Sequence, residues 1–159
     1  PMRYLLFFIP FLVATLAYTG EKGCQHDGKN FRCVKYVRNY DADTVTFNIP
    51  GTHPLFGKKI NIRVKGVDTP ELRTNNKCEK EKARSAKKLV KSLFRKARRI
   101  DLTDVSRGKY FRIVADIIID GKSLKNYLLK NGLAYPYDGG TKRKMDWCKP
   151  SREIASENQ

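Results

Sequence analysis

The chain has 159 residues, with 33 lysines and arginines against 16 aspartates and glutamates, a net charge of +17 and an isoelectric point near 9.9. That length suits one domain with an ordinary core, and the absence of any repeat period sets solenoids and arrays aside. Such a basic excess attracts polyanions: nucleic acid leads, an anionic membrane surface comes second, and simple solubility is the plain alternative.

The first twenty residues differ from the rest. Arg3, the apolar run from Tyr4 to Tyr18 broken by Pro10 and Thr15, and the polar exit Thr19-Gly20-Glu21-Lys22 follow the order of a secretory leader. The run is short for a membrane span. It reads as a signal peptide over residues 1–17, cleaved after about Ala17, with an uncleaved anchor as the alternative. Residues 18–30 then form a linker carrying Cys24, which lacks the small apolar lead-in of a lipobox.

Export predicts a secreted or periplasmic location, where Cys24, Cys33, Cys78 and Cys148 read as two disulfides rather than a metal site. His26 and His53 stand alone and no Cys-x-x-Cys occurs, which argues against zinc. Of the three connectivities, Cys24–Cys33 with Cys78–Cys148 is preferred, the first closing a short loop and the second tying the C-terminal segment to the body. Buried free thiols are the alternative.

In chain order, Phe31–Asn39 reads as a first strand of imperfect alternation. The acidic turn Tyr40-Asp41-Ala42-Asp43-Thr44 leads to a second, with Val45, Phe47 and Ile49 at period two. Pro50-Gly51 and Pro54–Gly57 connect to a third over Lys58–Val67, which carries Arg63 on the face opposite Ile60, Ile62 and Val64. Pro70 then fixes the turn that carries Asp68 and Glu71. After a loop over Leu72–Lys77, Ala83, Ala86, Val90, Leu93, Phe94 and Ala97 recur at helical spacing within Glu79–Ala97. Lysines and arginines on its other side are a solvated face or a phosphate track.

Ile100, Leu102 and Val105 suggest a fourth strand, Ser106–Lys109 a hairpin turn, and Phe111–Ile119 a fifth with Arg112 near its start. Ser123 is placed to cap a short helix with Leu124, Tyr127 and Leu128 inward and Gly132 as its C′ residue. Tyr135-Pro136-Tyr137, an Asp-Gly-Gly loop, the basic patch Lys142, Arg143 and Lys144, and Trp147 follow. Residues 150–159 read as a disordered tail. The order implies an α+β domain over residues 31–149: a five-stranded, all-antiparallel Greek-key barrel of the OB type with one long and one or two short helices.

Three separated segments offer complementary chemistry: Asp41 and Asp43; Arg63, Asp68 and Glu71; and Arg112. Hard oxygen donors suit Ca²⁺ or Mg²⁺, paired guanidinium forks match phosphate oxygens, and a remaining carboxylate can take a proton from water. In sequence, Asp41-Ala42-Asp43-Thr44, Arg63 to Asp68-Thr69-Pro70-Glu71, Lys109-Tyr110-Phe111-Arg112 and Gly132-Leu133-Ala134 resemble the ordered motif set of the staphylococcal nuclease family. The resemblance covers about residues 34–137.

That resemblance implies an OB-fold nuclease that hydrolyses DNA and RNA with Ca²⁺, or another divalent ion such as Mg²⁺, leaving 3′-phosphates. Carried over by position, Asp43, Asp68 and the Thr69 carbonyl would hold the metal, with Asp41 adding negative charge nearby. Glu71 would be the general base or orient the water, and Arg63 and Arg112 would bind the scissile phosphate. Lys109, Tyr110, Tyr135 and Tyr137 match nucleotide-contacting positions, single strands being the expected substrate form. The protein is expected to be a monomer without stable membrane association once its leader is removed. Ala42 and Phe111 replace glycines usual in the family, the Leu72–Lys77 loop is short, and the cysteines are additional. A non-catalytic nucleic-acid-binding module and a cationic membrane-active protein are the competing readings. The first ordinarily loses the acids or arginines kept here, and the second leaves the Asp43, Asp68 and Glu71 arrangement unexplained.

Overall fold

Period-two runs of apolar residues build the sheet. Val45 and Phe47 of β2 (Thr44–Asn48), Ile62 and Val64 of β3 (Ile60–Val64), Leu102 of β5 (Ile100–Arg107), and Ala115 and Ile117 of β6 (Ile113–Ile119) are all buried in one core. The computed structural model describes residues 23–158, so the expected leader over residues 1–17 lies outside the described residues. With β1 (Lys35–Asn39), the strand order is β1-β2-β3-β6-β5, and β7 (Lys122–Ser123) pairs with β6. β4 (Val67–Asp68) pairs separately with β8 (Tyr135–Pro136). These last pairs are too short to show a period.

The expected all-antiparallel ladder is corrected at one seam. β3 and β6 run parallel, Ile62 beside Ile113 and Val64 beside Ala115. The long connection through the main helix and β5 brings the chain back in the same direction, which no hairpin can do. The first strand also starts later than expected. Phe31 exchanges backbone hydrogen bonds of 2.9 and 2.7 Å with Leu102, and the Val34 amide donates to the Ile100 carbonyl. Residues 31–34 thus belong to the β5 side, and pairing with β2 begins at Lys35.

The long helix α2 (Lys77–Lys96) packs Ala83, Ala86, Val90 and Phe94 inward. Phe94 stacks on Tyr36 with centroids 4.9 Å apart. Its start is set by Asn76, whose side chain accepts the Glu79 amide at 3.1 Å. Asn76→Ala is expected to lower stability by about 1 kcal/mol, read as a shifted denaturant midpoint at constant slope. A four-residue helix, α1 (Pro54–Gly57), replaces part of the expected connection. Proline opens it, and the His53 ring accepts the Leu55 amide.

β5 runs through the expected Ser106–Lys109 turn to Arg107. The chain reverses instead at residues 108–112, through one 3₁₀ turn in which Tyr110 and Phe111 have φ of +56° and +58°. Both side chains are exposed. Around α3 (Leu124–Lys130), Ser123 does not cap: its hydroxyl donates to Asp116 Oδ1 at 2.8 Å. Leu124 and Leu128 are buried, whereas Tyr127 faces outward.

Gly132 follows α3 at φ +59°, and a Cβ there would sit 1.8 Å from the Ser151 carbonyl oxygen. That close approach docks α4 (Ser151–Ser156), where the sequence suggested disorder. One isoleucine in a polar tail carries no period, yet Ile154 is fully buried with Tyr135 and Trp147. Both preferred disulfides are present, Cys24–Cys33 and Cys78–Cys148, with Cα–Cα distances of 5.3 and 5.1 Å. No helix among the described residues is long and apolar enough to cross a membrane.

Candidate active site

Asp41 organises the turn between β1 and β2: its Oδ1 accepts the backbone amides of Asp43 at 3.1 Å and Thr44 at 2.7 Å. Asn39 clamps the same turn, donating to the Asp41 carbonyl and to the Lys87 carbonyl of α2. Asp43 is thereby held at the head of β2, only 1 % exposed. Arg63 pairs with Thr44 across the β2–β3 ladder, so its side chain lies beside Asp43. Gly66, at φ +78°, turns the chain after β3 into β4, which delivers Asp68 to the same place.

One guanidinium then joins both acids. Arg63 Nη1 donates to Asp43 Oδ1 at 2.6 Å and Nη2 to Asp68 Oδ1 at 2.5 Å. The Thr69 amide donates to Asp43 Oδ2 at 3.1 Å. On the other side of Asp68, Oδ2 accepts the Tyr135 hydroxyl at 2.9 Å, a contact made possible by the β4–β8 pairing of Asp68 with Tyr135. Lys142 Nζ lies 3.1 Å from that oxygen and 2.7 Å from Glu71 Oε1. Glu71 sits at the exposed rim, its amide donating to Glu79 Oε1.

Burial pushes the Asp43 carboxyl up to about 8; Asp41 adds to the rise and Arg63 opposes it. Burial also works against the Arg63 charge, but Asp43 and Asp68 outweigh it and hold the guanidinium above its ordinary range. Lys142 is likewise held high, Glu71 and Asp68 outweighing desolvation. Burial and then Asp68 push the Tyr135 phenol up to about 12. When all are ionised, Asp41, Asp43, Asp68 and Glu71 face two cations, Arg63 and Lys142. Fully ionised, this hydrogen-bonded cluster is short of positive charge by two; with Asp43 protonated, as its burial favours, it is short by one.

The predicted site residues divide on this geometry. Asp41, Asp43, Arg63, Asp68, Thr69, Glu71 and Tyr135 come together. Arg112 does not join their hydrogen bonds; it is exposed, with its guanidinium 5.9 Å from the Tyr110 ring centre. The β3–β6 register sets Val114 beside Arg63, so Arg112 lies two residues earlier, roughly 7 Å along the strand. Lys109 and Tyr110 share that exposed turn. Tyr135 is buried with its hydroxyl spent on Asp68, so of the three tyrosines expected to contact nucleotides, Tyr110 and Tyr137 keep ring surface to offer a base.

Nothing in the sequence marks Lys142 or Glu79 as a site residue. Lys142 was visible there only as one of three clustered basic residues, and its meeting with Glu71 spans 71 positions. Glu79 carries a local signal, an acid three residues after Asn76, but the sequence suggests a helix that begins only at Glu79, which hides its place in the first turn.

Two buried carboxylates around one guanidinium, short of positive charge and open on the Glu71 side, suit hard cations and phosphate oxygens in donor type. Among the described residues no group of three or more His, Cys, Asp or Glu side chains forms a metal cluster by itself, so carbonyls, water or substrate would complete any coordination. A family model described as staphylococcal nuclease homologue matches residues 61–153, more than half of the sequence. The chain belongs to that family. Endonuclease YncB of Bacillus subtilis (strain 168) is 39 % identical to it over 132 residues, covering 77 % of this chain and 58 % of YncB. The SPbeta prophage-derived endonuclease YokF of the same organism is 34 % identical over 132 residues, 78 % of this chain and 42 % of YokF. The chain thus spans about half the length of these curated relatives.

Proposed function

We propose that this chain is an exported, divalent-cation-dependent nuclease that hydrolyses phosphodiester bonds in DNA and RNA to 3′-phosphate ends. The observation that carries this reading is the pairing of Asp43 and Asp68 through Arg63, with Glu71 linked to Asp68 through Lys142. The two endonuclease relatives and the basic charge support it. The two disulfides are consistent with secretion or a periplasmic location. The strand path, with residues 31–34 bonded back to β5, is read as the five-stranded OB-type barrel of the family, and the folded domain as running from residue 31 through α4.

Asp43, Asp68 and the Thr69 carbonyl would hold Ca²⁺, or Mg²⁺ in its place, and the missing positive charge of the cluster fits a dication. Bound there, the ion would supply Lewis-acid polarisation of a phosphate oxygen. The residues themselves do the rest. Arg63, whose Nη1 and Nη2 are held by Asp43 and Asp68 in the resting protein, turns its guanidinium to the phosphate as those acids take the metal. Glu71, at the open rim, takes a proton from the attacking water or orients it. Arg112, two residues along the same seam, reaches a second phosphate oxygen, and Lys109, Tyr110 and Tyr137 contact the flanking nucleotides. Asp41 shapes the turn and adds negative charge. The active unit is a monomer, single strands are the preferred form, and after leader removal the chain has no stable membrane association.

Digestion of single-stranded DNA and RNA with Ca²⁺ and with excess chelator tests this. Cleavage is expected only with the metal, and binding to a non-cleaved strand is expected to weaken steeply between 50 and 200 mM salt, by about three orders of magnitude for six phosphate contacts. Equal cleavage in chelator would remove the metal from the scheme. Binding without cleavage under any metal would favour the non-catalytic module.

A further inference from the structure

Asp68 carries three donors, and they differ in how firmly they are held. Arg63 is 16 % exposed and also bonded to Asp43; Tyr135 is packed against Trp147 and is itself buried. Lys142 is 49 % exposed and sits on the segment from Tyr137 to Cys148. Among the described residues its ammonium is the one cation shared by Asp68 and Glu71, reaching Oδ2 of the first at 3.1 Å and Oε1 of the second at 2.7 Å. A flexible four-carbon stem with a hydrated head can leave such a position without unfolding anything.

The segment that carries it is anchored at both ends. Upstream, the Tyr137 amide donates to the Gly66 carbonyl at 3.1 Å and the Tyr137 hydroxyl to the Gly140 carbonyl at 2.9 Å. Downstream, Trp147 is buried with Ile154, and Cys148 is joined to Cys78 at the start of α2. Glu79, the next residue of that helix turn, holds the Glu71 amide and the Thr74 hydroxyl. The same disulfide-stapled corner therefore sets both Glu71 and the strap whose lysine covers it.

We propose that Lys142 is a built-in counter-ion latch: in the resting protein its ammonium neutralises Asp68 and Glu71 on the side of Asp68 away from Arg63, and it leaves when a divalent cation takes Asp68. This rests on the reading that Asp68 is a metal ligand. The latch partly neutralises Asp68 and Glu71 at rest, and it sets a threshold for the metal, since the ion must compete with a tethered ammonium. Removing the latch leaves the acids one charge more negative, so a dication binds more tightly.

Ca²⁺ binding measured by calorimetry on the intact chain, without nucleic acid, tests this with four proteins: wild type, Lys142→Met, Lys142→Arg and Asp68→Asn. Lys142→Met is expected to bind Ca²⁺ about tenfold more tightly than wild type, Lys142→Arg to stay within threefold of it, and Asp68→Asn to lose binding. In wild type, Lys142 is expected to be slow to acylate with an amine-reactive ester and to become faster on Ca²⁺ addition, read by peptide mass spectrometry. If Asp68→Asn loses binding while Lys142→Met binds no more tightly than wild type, the latch is wrong and the metal assignment survives. If Asp68→Asn binds as wild type does, the metal assignment itself fails. Acylation that ignores Ca²⁺ in a protein that binds it also overturns the latch.

Discussion

Glu71→Gln is expected to lower kcat on single-stranded DNA by about two to four orders of magnitude while leaving thermal unfolding almost unchanged. The substitution keeps the shape of the side chain and its ability to accept one hydrogen bond from Lys142, but removes the basicity that draws a proton from water. Because Glu71 lies at the exposed rim, nothing in the core depends on its charge. Arg63→Ala makes a useful contrast. It should cost about 10²–10³-fold in activity for a lost phosphate donor, and in addition about 3–5 kcal/mol of stability, since Asp43 and Asp68 are left buried without their shared partner. Steady-state kinetics beside denaturant melts separate the two. A Glu71→Gln enzyme with wild-type kcat would show that no proton leaves through this carboxylate, and an Arg63→Ala protein of unchanged stability would contradict the charge balance derived for the acid pair.

Loss of the second disulfide is expected to be the largest purely structural effect. Cys78 and Cys148 are 70 residues apart, and cross-linking so long a loop removes chain entropy from the unfolded state worth about 4 kcal/mol. The nine-residue separation of Cys24 and Cys33 gives about 2.5 kcal/mol on the same model. The double variant Cys78→Ser/Cys148→Ser should therefore unfold at a clearly lower denaturant concentration than Cys24→Ser/Cys33→Ser. Measured under non-reducing conditions at equal protein concentration, the reverse order would mean that strap and α2 stay associated through packing alone. Trp147, buried beside Tyr135 and Ile154, gives a fluorescence signal that reports on that corner directly.

Only some strands advertised themselves. β2, β3 and β6 carry alternation strong enough to place them within a few residues, because each buries one set of side chains in the core. β4 and β8 have two residues apiece and exist only because the chain on either side brings them together. The turn before β6 is not legible for a different reason: Tyr110 and Phe111 adopt positive φ without being glycine, and propensity gives no warning of that. α4 leaves no periodic signal, since its one buried residue, Ile154, has no apolar companions at helical spacing.

The chemical inventory is legible in the sequence alone: a cationic chain, four cysteines with one preferred pairing among three, a long amphipathic helix, and the acids and arginines of the family motifs. Those features are local, or depend only on spacing along the chain. What the tertiary structure decided was adjacency. It set Arg63 between Asp43 and Asp68, spent the Tyr135 hydroxyl on Asp68, left Arg112 outside the hydrogen-bonded cluster, and brought Lys142 across 71 positions onto Glu71. Short-range physics writes helices and strands into a sequence, whereas the balance of buried charge is settled only by which distant side chains the fold places within a few ångströms of one another.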